Sequence, residues 1–345
     1  MSELSLKISG QNFKYWNDFS LNLAYNSLGS TFSFTGLAIT GDQRNLFKPL
    51  SYHAAQVYFE NQLLLTGTIL NTGTISGPSK SLVNLSGYSK PGVLEDCNIP
   101  LSLYPLQFDN MSVKEIAEKL AKPFGISVIV SPLVTAADEK LDSIAAEPEQ
   151  TIKDLLSKLC KTKAIILSHN EAGNIILSKI NNNARSVATY IEGMPSTTIK
   201  LNVNGQGIHS ELTGQKQVSI GTDSAGEETI SNPLVRVFRP LVKKQESGKN
   251  DDTDNSIKMV RGAELRAIQL TIETDRWVWS DGAISRPIRP NNIIEVISPE
   301  NYITRKTRFF VESVEYVGSH EGIKATIKAV LPECYTGETP KITFT

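Results

Sequence analysis

The strongest constraint on this chain is a hydrophobic pattern that runs with period two near both ends and with the helical period of 3.6 in between. Leu4, Leu6 and Ile8 alternate with Ser5, Lys7 and Ser9, and Phe19, Leu21 and Leu23 alternate with Ser20 and Asn22. Successive side chains of a strand point to opposite faces, so this pattern specifies strands with one buried face. The stretches STFSFTGL, AAQVYFE, QLLLTGTIL and SLVNLSGY continue it between Gly, Asn, Pro and Ser turns. They predict an antiparallel barrel or sandwich. Only 12 of the first 97 residues are charged. A surface that faces water alone carries roughly 25–35% charge, so the sparse charge suggests burial against partners.

The period changes near Pro105. Val113, Ile116, Ala117 and Leu120 share one helical face, and Ser112 with Glu115 has the spacing of a capping box. Pro123 and Gly125 stop that helix, and the strand SVIV follows. Thr151 opens a second helix whose Ile152, Leu155, Leu156, Leu159 and Cys160 lie on one side. The hairpin AIILSHNEAGNIILSK, turning at Asn170 to Asn174, completes a small α/β unit.

Strand patterns return from about residue 184: TTIKLNVNG, KQVSI, LVRVFRPL, RWVWS, NIIEVIS, RFFVESVEYVG and IKATIKAVLP. Residues 243–256, KKQESGKNDDTDNS, read as a polar loop leading into a helix over 257–273. On that helix Val260, Ala263, Ala267 and Leu270 form one apolar stripe, and Leu265, Ile268 and Ile272 form a second on nearly the opposite side. A helix on a monomer's surface needs one stripe. Two stripes predict packing on both sides, between sheets of one chain or against a neighbouring subunit. In the second case these seven residues are subunit-interface residues.

Balanced charge, 35 basic against 36 acidic groups over 345 residues, gives no global field to draw the chain onto nucleic acid or an anionic membrane. The N-terminus lacks the basic and apolar regions of a secretory signal, which predicts a soluble, cytoplasmic product. Cys97, Cys160 and Cys334 are few and far apart, so free thiols are expected. Asp96 beside Cys97 opposes a thiolate. None of the four histidines, His53, His169, His209 and His320, forms a recognisable motif with that cysteine. Starting a calcium loop at Asp252 puts Ile257 and Ala263 where Gly and Glu are required. These observations predict no catalytic, metal or cofactor site. Trp277 and Trp279 alternate onto one strand face. A carbohydrate- or cell-wall-binding β protein using them as stacking platforms is therefore a second reading, with a tail-associated hydrolase using an unrecognised carboxylate pair as a third.

The succession LSGYSKPGVLEDC, SVKEIAEKLAKPFGISVIV, EPEQTIKDLLSKLCKTKAIILSHNEAGNIILSK, VRVFRPLV and RPNNIIEVISPE resembles the baseplate hub proteins of Mu-like contractile-tailed phages over nearly the whole chain. Gly87, Ser89, Asp96 and Cys97 match a corner of that family's barrel, where Tyr88 replaces an arginine. The resemblance implies a mainly β (α+β) fold with two tail-tube-like β-barrel domains, at 1–97 and 184–345, flanking an α/β domain at 98–183. Strands from 186–220 are candidates to complete the first barrel. It implies no enzyme and no cofactor. The implied assembly is a homotrimeric ring with a channel for DNA in transit. Its implied partners are a central spike protein, a tail tube or tube-initiator protein and other baseplate proteins, without membrane insertion. Its implied location is the virion tail baseplate, reached from the host cytoplasm during assembly.

Overall fold

The computed structural model describes residues 4–13, 16–37, 42–78, 81–215, 227–244, 250–281, 284–319, 322–342 and 344. The alternating segments form strands as expected: Leu4–Ile8, Asp18–Ala24, Thr31–Leu37, Ala54–Phe59, Gln62–Ser76 and Ser81–Ser89. They join strands from the far end of the chain in one sheet of 13 strands. The joint is Ile303–Ser319, 17 residues long. Its first half pairs with Ile293–Ser298, and its second half lies between Asp18–Ala24 and Gly322–Val330.

Among the described residues, the sheet of the first 97 residues is thus continued by the strand Ile303–Ser319, and the strands of 186–215 do not pair with it directly. Ser186–Ile191 pairs with Ile293–Ser298, and Thr197–Val203 pairs with Ile268–Thr274. The expected strand KQVSI lies outside the described residues. One buried cluster runs from Leu4 to Ile342 and takes side chains from both β-rich segments.

Three other expectations change. The helix spans Asn250–Leu265, so DDTDNS is helical instead of part of a loop. Residues 268–274 form a strand whose Ile268, Leu270, Ile272 and Thr274 alternate inward. The chain turns at Arg266 and Ala267, and the β-branched Ile268, Thr271, Ile272 and Thr274 suit the pleated surface that follows. In LVRVFRPL only the end is a strand, Pro240–Lys244. Residues 234–239 form no strand, and Arg239 at their end donates to the Gln206 and Ile208 carbonyls at 3.0 and 3.3 Å.

The α/β unit has its own core. Ser112 caps the helix Val113–Ala121 by accepting from the Glu115 amide, and the Glu115 carboxylate accepts from the Ser112 amide at 2.8 Å. Gly125 ends this segment at φ 62. Thr151 caps the helix Ile152–Thr162 through the Asp154 amide at 3.1 Å. The hairpin Ile166–His169 and Ile175–Ser178 adds Val128–Val130 as a parallel edge strand. Two residues of that core come from before residue 98: Leu94, at the corner that leads into the unit, and Leu28, in the turn between Asp18–Ala24 and Thr31–Leu37, both fully buried in the α/β cluster.

Candidate functional surface

The corner at residues 86–97 is a structural joint. A Cβ on Gly87 would lie 1.9 Å from the Thr68 carbonyl oxygen of the adjacent strand, so glycine is required for the strands to approach. Burial, with the nearby Asp96 carboxylate second, pushes the Tyr88 phenol pKa up. Tyr88 occupies the position where the family resemblance led us to expect an arginine. Beside it, one oxygen of Glu95 accepts from Ser27 Oγ and from the Leu28 and Gly29 amides at 3.0–3.1 Å, while Lys153 reaches the other at 3.0 Å. Cys97 is half-buried, and its carbonyl accepts from the Ile152 amide at 3.1 Å. Burial pushes the thiols of Cys160 and Cys334 up to about 12, which leaves both protonated at neutral pH.

The seven residues expected at an interface separate. Leu265, Ile268, Leu270 and Ile272 are fully buried within their own chain, in the core shared by the β-rich segments. Ala263 is exposed, and Val260 and Ala267 are half-buried. The two apolar sides are met largely by sheet strands of the same chain, because what read as one helix is a helix, a turn and a central strand. Trp277 is buried at 2% exposure against Phe59 and Tyr316, and donates its indole N–H to the Ile323 carbonyl. That geometry removes it as a stacking platform for sugars. Among the described residues no group of three or more His, Cys, Asp or Glu side chains could hold a metal. Among them, too, no helix is long and apolar enough to cross a membrane.

The feature that sequence reasoning missed is the outer face of the large sheet. Leu21, Leu23, Phe32, Phe34, Val83 and Leu85 point into the core, so their neighbours in sequence form the opposite face. Strand register aligns these neighbours. One row crosses eight strands as Thr198, Glu273, Thr326, Glu315, Asn22, Thr31, Tyr88 and Thr68. The next runs Lys324, Val317, Ser20, Ser33, Ser86 and Asn71. Hydrogen bonds tie the rows together: Ser20 Oγ to Glu315 at 3.3 Å, Asn71 Nδ2 to Ser86 at 3.3 Å, and Ser33 Oγ to Asn84 at 3.4 Å. Lys200 pairs with Glu273 at 2.5 Å. A shallow cleft of about 420 Å³ lies on this face, lined by Ser20, Thr31, Ser33, Asn71 and Ser86 among others. The alternation was legible in sequence; the side-by-side order of strands from opposite ends of the chain was not.

Residues 91–179 match the family described as baseplate hub protein gp44-like, second domain. No curated protein matches the chain. The fold is similar to the 43 kDa tail protein of prophage MuSo2 from Shewanella oneidensis, with a TM-score of 0.81 and 19% identity over 96% of this chain and 99% of that one. It is similar to the tail protein of Neisseria meningitidis MC58, with a TM-score of 0.79 and 19% identity over 97% and 98%. A third likeness is to the E. coli c3393 protein, a component of the type VI secretion system, with a TM-score of 0.57 and 10% identity over 94% and 76%. The chain thus has a fold similar to that of these prophage tail proteins, and its residues 91–179 match the second domain of gp44-like baseplate hub proteins.

Proposed function

We propose that the chain is a structural subunit of a contractile tail's baseplate hub. In this reading three copies form a ring that joins the tail tube to the central spike, touches other baseplate proteins and leaves a channel through which DNA passes. Its place is the virion tail baseplate, and its role is mechanical instead of catalytic. Each copy contributes its two β-rich segments, and the α/β unit stands beside them.

The observation that carries this reading is the continuous outer sheet face. A surface eight strands wide, built mainly from hydroxyl and amide side chains with acidic and basic groups interspersed, is poor as an apolar ligand pocket or a lipid contact and suited to line a wet passage. Sequence-independent DNA binding depends on Lys and Arg that displace counterions from phosphate. On this face Lys200 is paired with Glu273, Lys324 and Lys328 are set among Glu273 and Glu315 on the adjoining strands, and the strands contributed by residues 18–35 and 84–86 carry Asp18 as their one charge. Such a lining lets a polyanion slide without holding it. Ala263, Val260 and Ala267, the members of the stripe that still reach the surface, are candidates to meet a neighbouring copy.

Negative-stain images of the purified protein test the proposal. Three-lobed rings with a central hole, together with a light-scattering mass of three chains at micromolar concentration, are the expected result. A stable monomer without a hole would overturn it.

A further inference from the structure

A cleft of about 210 Å³ lies where three stretches far apart in sequence meet. Leu23 and Tyr25 line it from the large sheet, Ser168 and Glu171 from the hairpin of the α/β unit, and Arg289 from the loop before Ile293–Ser298. The backbone of Arg289 is fixed by a neighbour: its amide donates to Asn292 Oδ1 at 2.8 Å, and its carbonyl accepts from the Asn292 amide at 3.2 Å. The half-buried guanidinium, by contrast, forms no ion pair or hydrogen bond among the described residues. Ser168 is 2% exposed, and its hydroxyl forms none among them either. Neighbouring polar groups are engaged: Tyr25 donates to Ser178 Oγ at 2.9 Å, and His169 Nδ1 lies 2.7 Å from the Ser27 carbonyl. Nearly all buried polar groups of folded proteins find a partner. An unpaired cation and an unpaired, almost fully buried hydroxyl on one cleft therefore point to a ligand that supplies acceptors.

We propose that this cleft binds a carboxylate group, with Arg289 as its charged anchor and Ser168 as a further donor. The proposal is independent of the ring reading above. A guanidinium presents parallel N–H donors that match the two oxygens of a carboxylate. Besides His169, Arg289 is the one basic residue that lines the cleft, and burial keeps His169 neutral at physiological pH. Glu171, exposed at the same cleft, adds a fixed negative charge. One cation beside one fixed carboxylate accommodates a monoanion at far lower cost than a phosphate dianion. The volume falls below the roughly 300 Å³ at which sites for drug-sized ligands begin, so the carboxylate belongs to a small acid or to a single acidic side chain of another protein. Buried Leu23 and Leu64 give the methylenes that carry it an apolar wall.

The test uses the full chain with isotope-labelled histidine, whose four histidines give four imidazole NMR signals; His169→Gln identifies the one beside the cleft. Sodium acetate is titrated over about 1–100 mM against sodium chloride at constant ionic strength, at a pH of about 7.5, where His169 is neutral. Acetate is expected to shift the His169 signal saturably and to leave the other three in place. Arg289→Gln should weaken that response at least about tenfold, and Ser168→Ala by roughly two- to tenfold; the three unmoved signals report that each variant is folded. A five-residue glycine peptide with a central glutamate and blocked ends separates the sources. A saturable shift with the peptide supports an acidic side chain of another protein as the occupant, and a shift with acetate alone supports a free small acid. No saturable shift with either probe, an equal shift with chloride, or an unchanged response in Arg289→Gln would overturn the proposal.

Discussion

Gly87 and Gly73 show how narrowly the structure assigns importance to single residues. A methyl on Gly87 would collide with the Thr68 carbonyl oxygen at 1.9 Å and the Phe32 ring at 2.8 Å, whereas one on Gly73 would rest 3.7 Å from Asn84 Cβ. Backbone oxygen cannot swing aside. Gly87→Ala is therefore expected to lower stability by roughly 1–3 kcal/mol, the usual cost of overpacking, while Gly73→Ala stays within about 0.5 kcal/mol, as surface changes do. Urea denaturation midpoints of the two variants measure the difference; equal midpoints would show that the strands can part at no cost. Nothing in the sequence separates these two glycines, because the cause is an approach between strands rather than a local turn. The closeness of Tyr88 to Asp96 was similarly hidden: the sequence showed an aromatic where an arginine was expected, and only the folded corner brings the phenol near that carboxylate.

At the level of elements, local signals were legible where a side chain acts on its own helix and failed where two periods coincide. The capping box at Ser112 and Glu115 formed as its spacing required. Ser112→Ala should cost about 1 kcal/mol, the typical worth of an N-cap, read from the thermal midpoint. Residues 260–272, by contrast, satisfy a helical stripe and an alternating strand over short windows, and the choice is made by the strands Thr197–Val203 and Gly322–Val330 that enclose Ile268–Thr274. Tertiary pairing overrides a propensity worth tenths of a kcal/mol per residue. The α/β unit carries a similar non-local device. Leu28 enters its core from a turn of the large sheet, so Leu28→Ala should cost roughly 2–5 kcal/mol, as for other buried leucines. Hydrogen exchange should show that loss concentrated at 98–178; equal loss throughout the large sheet would mean that the two cores unfold as one unit.

Across the whole molecule, the α/β unit is fixed to the sheet through groups that fail in one direction of pH. The seam holds a cleft of about 210 Å³ lined by Tyr25, His169, Glu171, Ser178 and Arg289 among others. Tyr25 donates to Ser178 Oγ at 2.9 Å, and burial pushes its hydroxyl up to about 12, out of the physiological range. His169 Nδ1 lies 2.7 Å from the Ser27 carbonyl. Its burial holds the imidazole pKa below 6.5 despite the Ser27 carbonyl and the nearby Glu95 and Glu171, which act the other way. Glu95 is desolvated, yet Lys153, Ser27 and the Gly29 amide hold its carboxyl below 4.5. A depressed pKa means that the folded state binds the proton less readily than the unfolded chain, so in both cases stability is full at high pH and falls on acidification. The docked unit should accordingly lose stability in two stages, first as pH falls below about 6.5 through the histidine and then below about 4.5 through the carboxylate. Protection from hydrogen exchange in residues 98–178, followed from pH 8 to 2.5 at constant ionic strength and corrected for intrinsic exchange, resolves the stages. His169→Gln should abolish the first and keep the second. If the first stage persists in that variant, the loss arises elsewhere and the seam is not what acid opens.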